Sequence, residues 1–141
     1  MAPLSLAVRT LHVLTMAVLV GGTLAVWYGY RTEAVTDLSL ARRYEWAFWA
    51  ALGVLVVTGV GNLGAVGAPG PATAWGRTFL VKLVLVLAVV VGSAVRTLAV
   101  VQVTDDPSAG AVQSPVVGRL YGATTVALVA VVVLAEVLAH G

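Results

Sequence analysis

Four apolar runs occupy most of this chain, and each is long enough to cross a bilayer as a helix. They cover approximately residues 4–28, 45–66, 76–103 and 116–140, against the roughly 20 residues that a membrane-spanning helix needs. Composition closes off a water-soluble fold. Of 141 residues, 60% are hydrophobic and 10% charged, where soluble domains carry about 25% charge. So few charges cannot cover a water-facing surface, and the excess apolar area must face lipid. Periodicity does not separate helix from strand in runs this apolar, but length does. An isolated strand in lipid leaves its backbone unpaired, whereas a helix satisfies its own hydrogen bonds. The expected fold is therefore all-α, an integral membrane four-helix bundle of antiparallel up-down topology, with one domain over residues 1–141.

The connections support this division. Met1 to Ala7 carries no Lys or Arg side chain, unlike the start of a signal peptide, so the first run is read as a retained transmembrane helix. Gly67-Ala68-Pro69-Gly70-Pro71 ends the second run, because proline and glycine break helices. Thr104-Asp105-Asp106-Pro107-Ser108 is a turn-rich link between the third and fourth. In the third run the uncharged stretch Leu83–Val95 is too short to span alone. Lys82 and Arg96 must then lie inside the helix, snorkelling to opposite interfaces or meeting partners. Small residues at Gly21 and Ala25, or at Gly61 and Gly64, are expected to let neighbouring backbones approach.

Basic residues set the expected orientation. Arg31, Arg42, Arg43, Arg96 and Arg119 lie on or near the first and third connections, and Arg9, Arg77 and Lys82 lie at the opposite side. That bias places both termini outside a cytoplasmic membrane. Trp27, Tyr28, Tyr30, Tyr44, Trp46, Trp49 and Tyr121 gather near the inner surface, and Trp75 marks the outer one. The net charge of +2 forms no basic cluster, and the chain has no cysteine. Nucleic acid is not an expected partner, and disulfides, thiolate metal sites and thiol nucleophiles are excluded. No catalytic triad or phosphate-binding loop is present. The pattern Gly59, Gly61, Gly64 lies within an apolar span with no preceding strand, so it is no dinucleotide fingerprint.

Ionisable residues inside a membrane are unfavourable unless they serve a purpose. Counting about 1.5 Å per residue, His12 lies about 12 Å below the outer surface, Lys82 about 9 Å, and Asn62 and Glu136 about 6 Å. They come from four different helices, which points to a polar pocket opening outward. The inner half holds little beyond Thr23, Ser93, Arg96, Thr124 and Thr125. His12 and Met16 are four apart and share a helical face; imidazole with thioether suits copper, the thioether favouring Cu(I). Glu136 and His140 have the same spacing and extend the candidate metal set to His12, Met16, Glu136 and His140, with Asn62 and Lys82 as pocket residues. An alternative is a b-type haem held by His12 and His140, with Arg9 and Arg77 near its propionates. A third reading gives the polar cluster only a structural or assembly role. Against each ligand role stands a plainer one: His12 bonding across helices, Met16 packing, Lys82 and Glu136 neutralising each other, His140 solvated, Arg9 and Arg77 anchoring at the interface, and Asn62 capping its helix.

Several short elements carry a family resemblance. Leu11-His12-Val13 leads to Val20-Gly21-Gly22 in the first span, and Thr58-Gly59 follows in the second. Trp75-Gly76-Arg77 then leads to Leu80-Val81-Lys82-Leu83 in the third. In order and spacing, over about residues 5 to 100, these resemble the membrane domain of the copper resistance protein CopD family. The resemblance implies a four-helix membrane domain that takes up or handles copper across the cytoplasmic membrane. The implied partners are the lipid bilayer, copper, and a further copy of the chain or an external copper-binding protein. The broader superfamily includes HemJ-type proteins, haem-associated membrane enzymes that oxidise protoporphyrinogen and also place a histidine early in the first span. Such an oxidase is the enzymatic alternative; the Gly-Gly pair and the Trp-Gly-Arg element fit CopD better.

Overall fold

The computed structural model describes residues 3–35, 37–66, 70, 72–106 and 115–140, apart from the side chains at 62, 63, 65 and 66. Four helices follow in order: α1 (Pro3–Arg31), α2 (Ser39–Val66), α3 (Ala74–Asp105) and α4 (Pro115–His140). All four are long and apolar enough to cross a membrane, and no strand occurs among the described residues. The protein is a multi-pass membrane protein built as an antiparallel four-helix bundle. The helices form a closed ring in which α1 packs on α2 and α4, and α3 packs on α4 and α2. Pro3, His140 and the α2–α3 connection lie at one end, called here the terminal end. The α1–α2 and α3–α4 connections lie at the other, the two-loop end.

The outside of the bundle is apolar, as lipid requires. Val57 is 73% exposed and Val126 71%, positions that would be unfavourable in water and are ordinary against acyl chains. The interior divides into two clusters. Leu19, Phe48, Leu52, Leu55, Val89, Leu128 and Val131 fill the middle. Val26, Tyr30, Ala41, Val100, Val117 and Tyr121 fill the two-loop end.

The α2 helix begins at Ser39, earlier than the apolar run that starts at Glu45. Its first turns are amphipathic: Ala41 is buried while Arg42 and Arg43 are exposed. Ser39 donates its amide to Asp37 Oδ1 at 2.9 Å and its hydroxyl to Asp37 Oδ2, an arrangement that favours helix initiation. These bonds hold the exposed Asp37 carboxyl below its ordinary range. Because α2 starts early, Glu45 lies inside the helix rather than at its edge.

The close approaches occur at glycines other than the expected ones. A Cβ on Gly22 would lie 2.5 Å from the Tyr44 ring, so only glycine lets Tyr44 cross α1. On Gly122 it would lie 2.8 Å from Trp27 Nε1. Gly21 and Gly64 have nothing within 4 Å. Spacing alone did not reveal which face of each helix carries a large aromatic neighbour.

Candidate functional site

The densest polar network lies toward the two-loop end, where α2, α3 and α4 meet. The α2–α3 seam is the most open of the four, and side chains fill it. Arg96 is fully buried, and its Nε and Nη2 donate to Glu45 Oε1 at 2.8 Å and Oε2 at 3.1 Å. The Tyr121 hydroxyl donates to Oε1 and the Thr97 hydroxyl to Oε2, both at 2.5 Å. Thr97 in turn accepts from Trp49 Nε1 at 2.9 Å. The guanidinium lies between aromatic rings, 4.2 Å from the Phe48 centroid and 4.6 Å from that of Tyr121, where the ring faces attract its charge. A carboxylate offers about four lone-pair positions, and four donors occupy them here. Glu45 has no acceptor capacity left for a metal ion. Arg96 Nη1 and Ser93 Oγ are the buried polar side-chain atoms without a partner among the described residues.

This network was not legible as a site in the sequence. Arg96 was expected to snorkel or find a partner, and it finds one. Glu45 marked the edge of a span, Trp49 and Tyr121 were interface aromatics, and Thr97 was not singled out. The available signal was a matched pair: one acid in the second span and one arginine in the third, both on the two-loop side. The view that the inner half holds little polar structure is corrected, because the earlier start of α2 carries Glu45 inward.

Toward the terminal end the polar residues are sparser and less satisfied. His12 is half-buried against α2, where its Nδ1 lies 2.7 Å from Thr58 Oγ1 and its Cε1 packs near Gly59. The Thr58 hydroxyl has one proton, directed at the Val54 carbonyl at 2.7 Å, with Leu55 O further away at 3.2 Å. When that proton goes to Val54, His12 Nδ1 is the donor to Thr58 Oγ1 and Nε2 of the neutral ring keeps a free lone pair; the other tautomer reverses the bond. Met16, one turn further along the same face, packs half-buried on the central apolar cluster.

Lys82, on α3, is half-buried and near enough to His12 for their charges to interact. It makes no ion pair or hydrogen bond with a described residue. Glu136 and His140 are exposed and pair with each other, His140 Nδ1 lying 3.4 Å from Glu136 Oε2 and 3.1 Å from the Glu136 carbonyl. The structure thus brings His12 together with Thr58 and Gly59 and near Lys82, while Glu136 is engaged by His140 rather than by Lys82. No group of three or more His, Asp or Glu side chains placed to hold a metal occurs among the described residues. Arg9 and Arg77 are exposed. The side chain of Asn62 lies outside the described residues.

The Trp75-Gly76-Arg77 element acts at this end as an anchor. Trp75 Nε1 donates to the Leu138 carbonyl at 3.1 Å, tying the start of α3 to the end of α4, and its ring stacks on Phe79 at 5.5 Å. Thr73 caps α3, its hydroxyl accepting from Gly76 N at 3.0 Å. Both serve ordinary needs of helix termini.

The family model for copper resistance protein D matches residues 38–138, which cover α2, α3 and nearly all of α4. Neither a curated protein nor a solved structure matches the chain. The matched stretch contains Glu45, Thr58, Lys82, Arg96 and Tyr121, and begins after His12. With a four-helix membrane architecture and a match over most of its length, the chain belongs to the copper resistance protein D (CopD) family.

Proposed function

We propose that this protein handles copper as cargo in the cytoplasmic membrane, with both termini outside and His12 as the first protein ligand of the ion. The observation that carries this reading is the hydrogen bond between His12 Nδ1 and the Thr58 hydroxyl. A metal-binding imidazole has its second nitrogen fixed by a hydrogen bond, which orients the ring and raises its basicity. His12 has such a partner in Thr58, and in the tautomer with Nδ1 as donor its Nε2 is free to ligate. Met16 shares its helical face, and a nitrogen with a thioether suits Cu(I). Lys82 favours the same oxidation state, because an ammonium repels a divalent ion twice as strongly as a monovalent one at the same distance. Membership of the CopD family supplies the copper connection, and the basic residues near the α1–α2 and α3–α4 connections support the orientation.

The test is anaerobic titration of the purified, detergent-solubilised chain with Cu(I) against a chromophoric chelator. The wild-type protein binds the ion, and His12→Ala loses that binding. The variant keeps its helicity, because a single interhelical hydrogen bond in a membrane contributes only about 0.6–2 kcal/mol. Wild-type protein that takes up no copper refutes the reading. Unchanged binding by His12→Ala removes His12 from it.

A further inference from the structure

A second binding feature lies at the two-loop end, on the opposite side of the bundle from the α2–α3 seam. Between the end of α1 and the start of α4 there is a cleft of about 290 Å³, lined by Trp27, Arg31, Leu38, Val117, Gly118 and Arg119 among others. That volume is at the lower limit for small-molecule sites, enough for a compact polar group. Its two cations are Arg31 and Arg119, from different helices. Neither makes an ion pair with a described residue; the guanidinium of Arg31 instead lies 5.4 Å from the centre of the Trp27 ring. The Trp27 indole N–H has no acceptor among the described residues. Its ring is held across α4 because Gly122 leaves room for it.

The cleft therefore presents two guanidinium groups, with no acidic side chain among its described lining residues to complement them. Guanidinium pairs recognise phosphate through paired N–H donors. The level of the cleft in the bilayer selects the form in which that phosphate arrives. Exposed Tyr28 and Trp46, at 61% and 80%, mark the aromatic belt at the height of lipid headgroups. Leu38 and Val117 make part of the wall apolar. Basic pockets between transmembrane helices at this level are suited to anionic lipid headgroups.

We propose that the α1–α4 cleft is a binding site for an anionic phospholipid, its phosphate held between Arg31 and Arg119. The site is independent of the copper reading. Arg31 and Arg119 select the lipid by charge, so a phosphatidylglycerol-type headgroup binds and a zwitterionic phosphatidylcholine does not compete.

Native mass spectrometry of the full chain released from nanodiscs of equal phosphatidylglycerol and phosphatidylcholine tests this. Wild-type protein retains phosphatidylglycerol selectively. The double variant Arg31→Gln/Arg119→Gln loses that selectivity by roughly 30-fold, the loss expected for two basic side chains at an anionic surface. Both side chains are exposed, so the bundle stays folded, as circular dichroism would verify. Arg42→Gln, at the same end but outside the cleft, serves as control and retains wild-type selectivity. Equal retention of the two lipids by wild type, or full selectivity in the double variant, overturns the proposal. So does an equal loss in Arg42→Gln, which reduces the effect to general surface charge, or displacement of the lipid by soluble glycerol phosphate, which makes the site one for a free anion.

Discussion

The two polar regions of this bundle differ in how completely their hydrogen bonds are used. Near the two-loop end, Glu45 accepts four donors and Arg96 is held by carboxylate and aromatic faces. Near the terminal end, His12 is oriented by Thr58 with one nitrogen unused, and Lys82 has no partner among the described residues. A carboxylate whose acceptor positions are all filled, in a low-dielectric interior, fixes helix positions and resists new ligands. An oriented but unsaturated imidazole retains the capacity to bind. Burial and charge density alone would single out the Glu45–Arg96 region. On the proposed reading the stronger cluster holds the fold and the weaker one binds the ion.

The largest effect expected from this contrast is on stability. Arg96→Leu leaves Glu45 charged and buried without its partner, which costs about 3–5 kcal/mol. Adding Glu45→Leu removes the stranded charge and recovers most of that loss, because a buried pair replaced by apolar groups is often neutral. Unfolding in a denaturing detergent titration measures both. If the double variant is as unstable as the single one, the network does more than balance charge.

A smaller effect is expected at the terminal end, on binding rather than folding. Thr58→Val removes the hydroxyl that orients His12, and loss of such an outer partner weakens metal binding by about 10–100-fold. Thr58→Ser keeps the hydroxyl and retains affinity. Equal Cu(I) affinities for the valine and serine variants would mean that the tautomer is set by something else.

The smallest effect concerns acid. The exposed Asp37 carboxyl is held below its ordinary range by the Ser39 bonds. A group depressed in the folded state contributes stability above its unfolded value, near pH 4, and loses it as pH falls through the folded value. The first turn of α2 is thus expected to loosen as pH falls below about 4. Amide exchange at Ser39 to Ala41 reads this locally, and Asp37→Asn abolishes the pH dependence.

The sequence made the scaffold legible and the interior only partly so. Four long apolar runs require four helices because lipid offers backbone groups no alternative partner, and that argument does not depend on packing. His12 was also legible as a candidate, since an imidazole in an apolar span stands out. Glu45 was hidden for a physical reason: hydropathy locates the edge of the bilayer, not the start of a helix. The polar turns from Ser39 to Tyr44 that carry Glu45 inward read as loop. The pairing of Glu136 with His140 rather than Lys82 depends on helix rotation, which near-uniform apolar faces leave undetermined. Gly22 and Gly122 matter because of Tyr44 and Trp27 on neighbouring helices, a relation between helices that no single-helix spacing encodes.

The central division of labour can be measured in one series. Cu(I) stoichiometry is determined for the wild-type chain, His12→Ala and Tyr121→Phe, the last of which removes one donor to Glu45 while leaving the ion pair in place. The expected result is bound copper in wild type and Tyr121→Phe, and none in His12→Ala. Copper retained without the imidazole, or lost on removal of the Tyr121 hydroxyl from a still-helical protein, would contradict it.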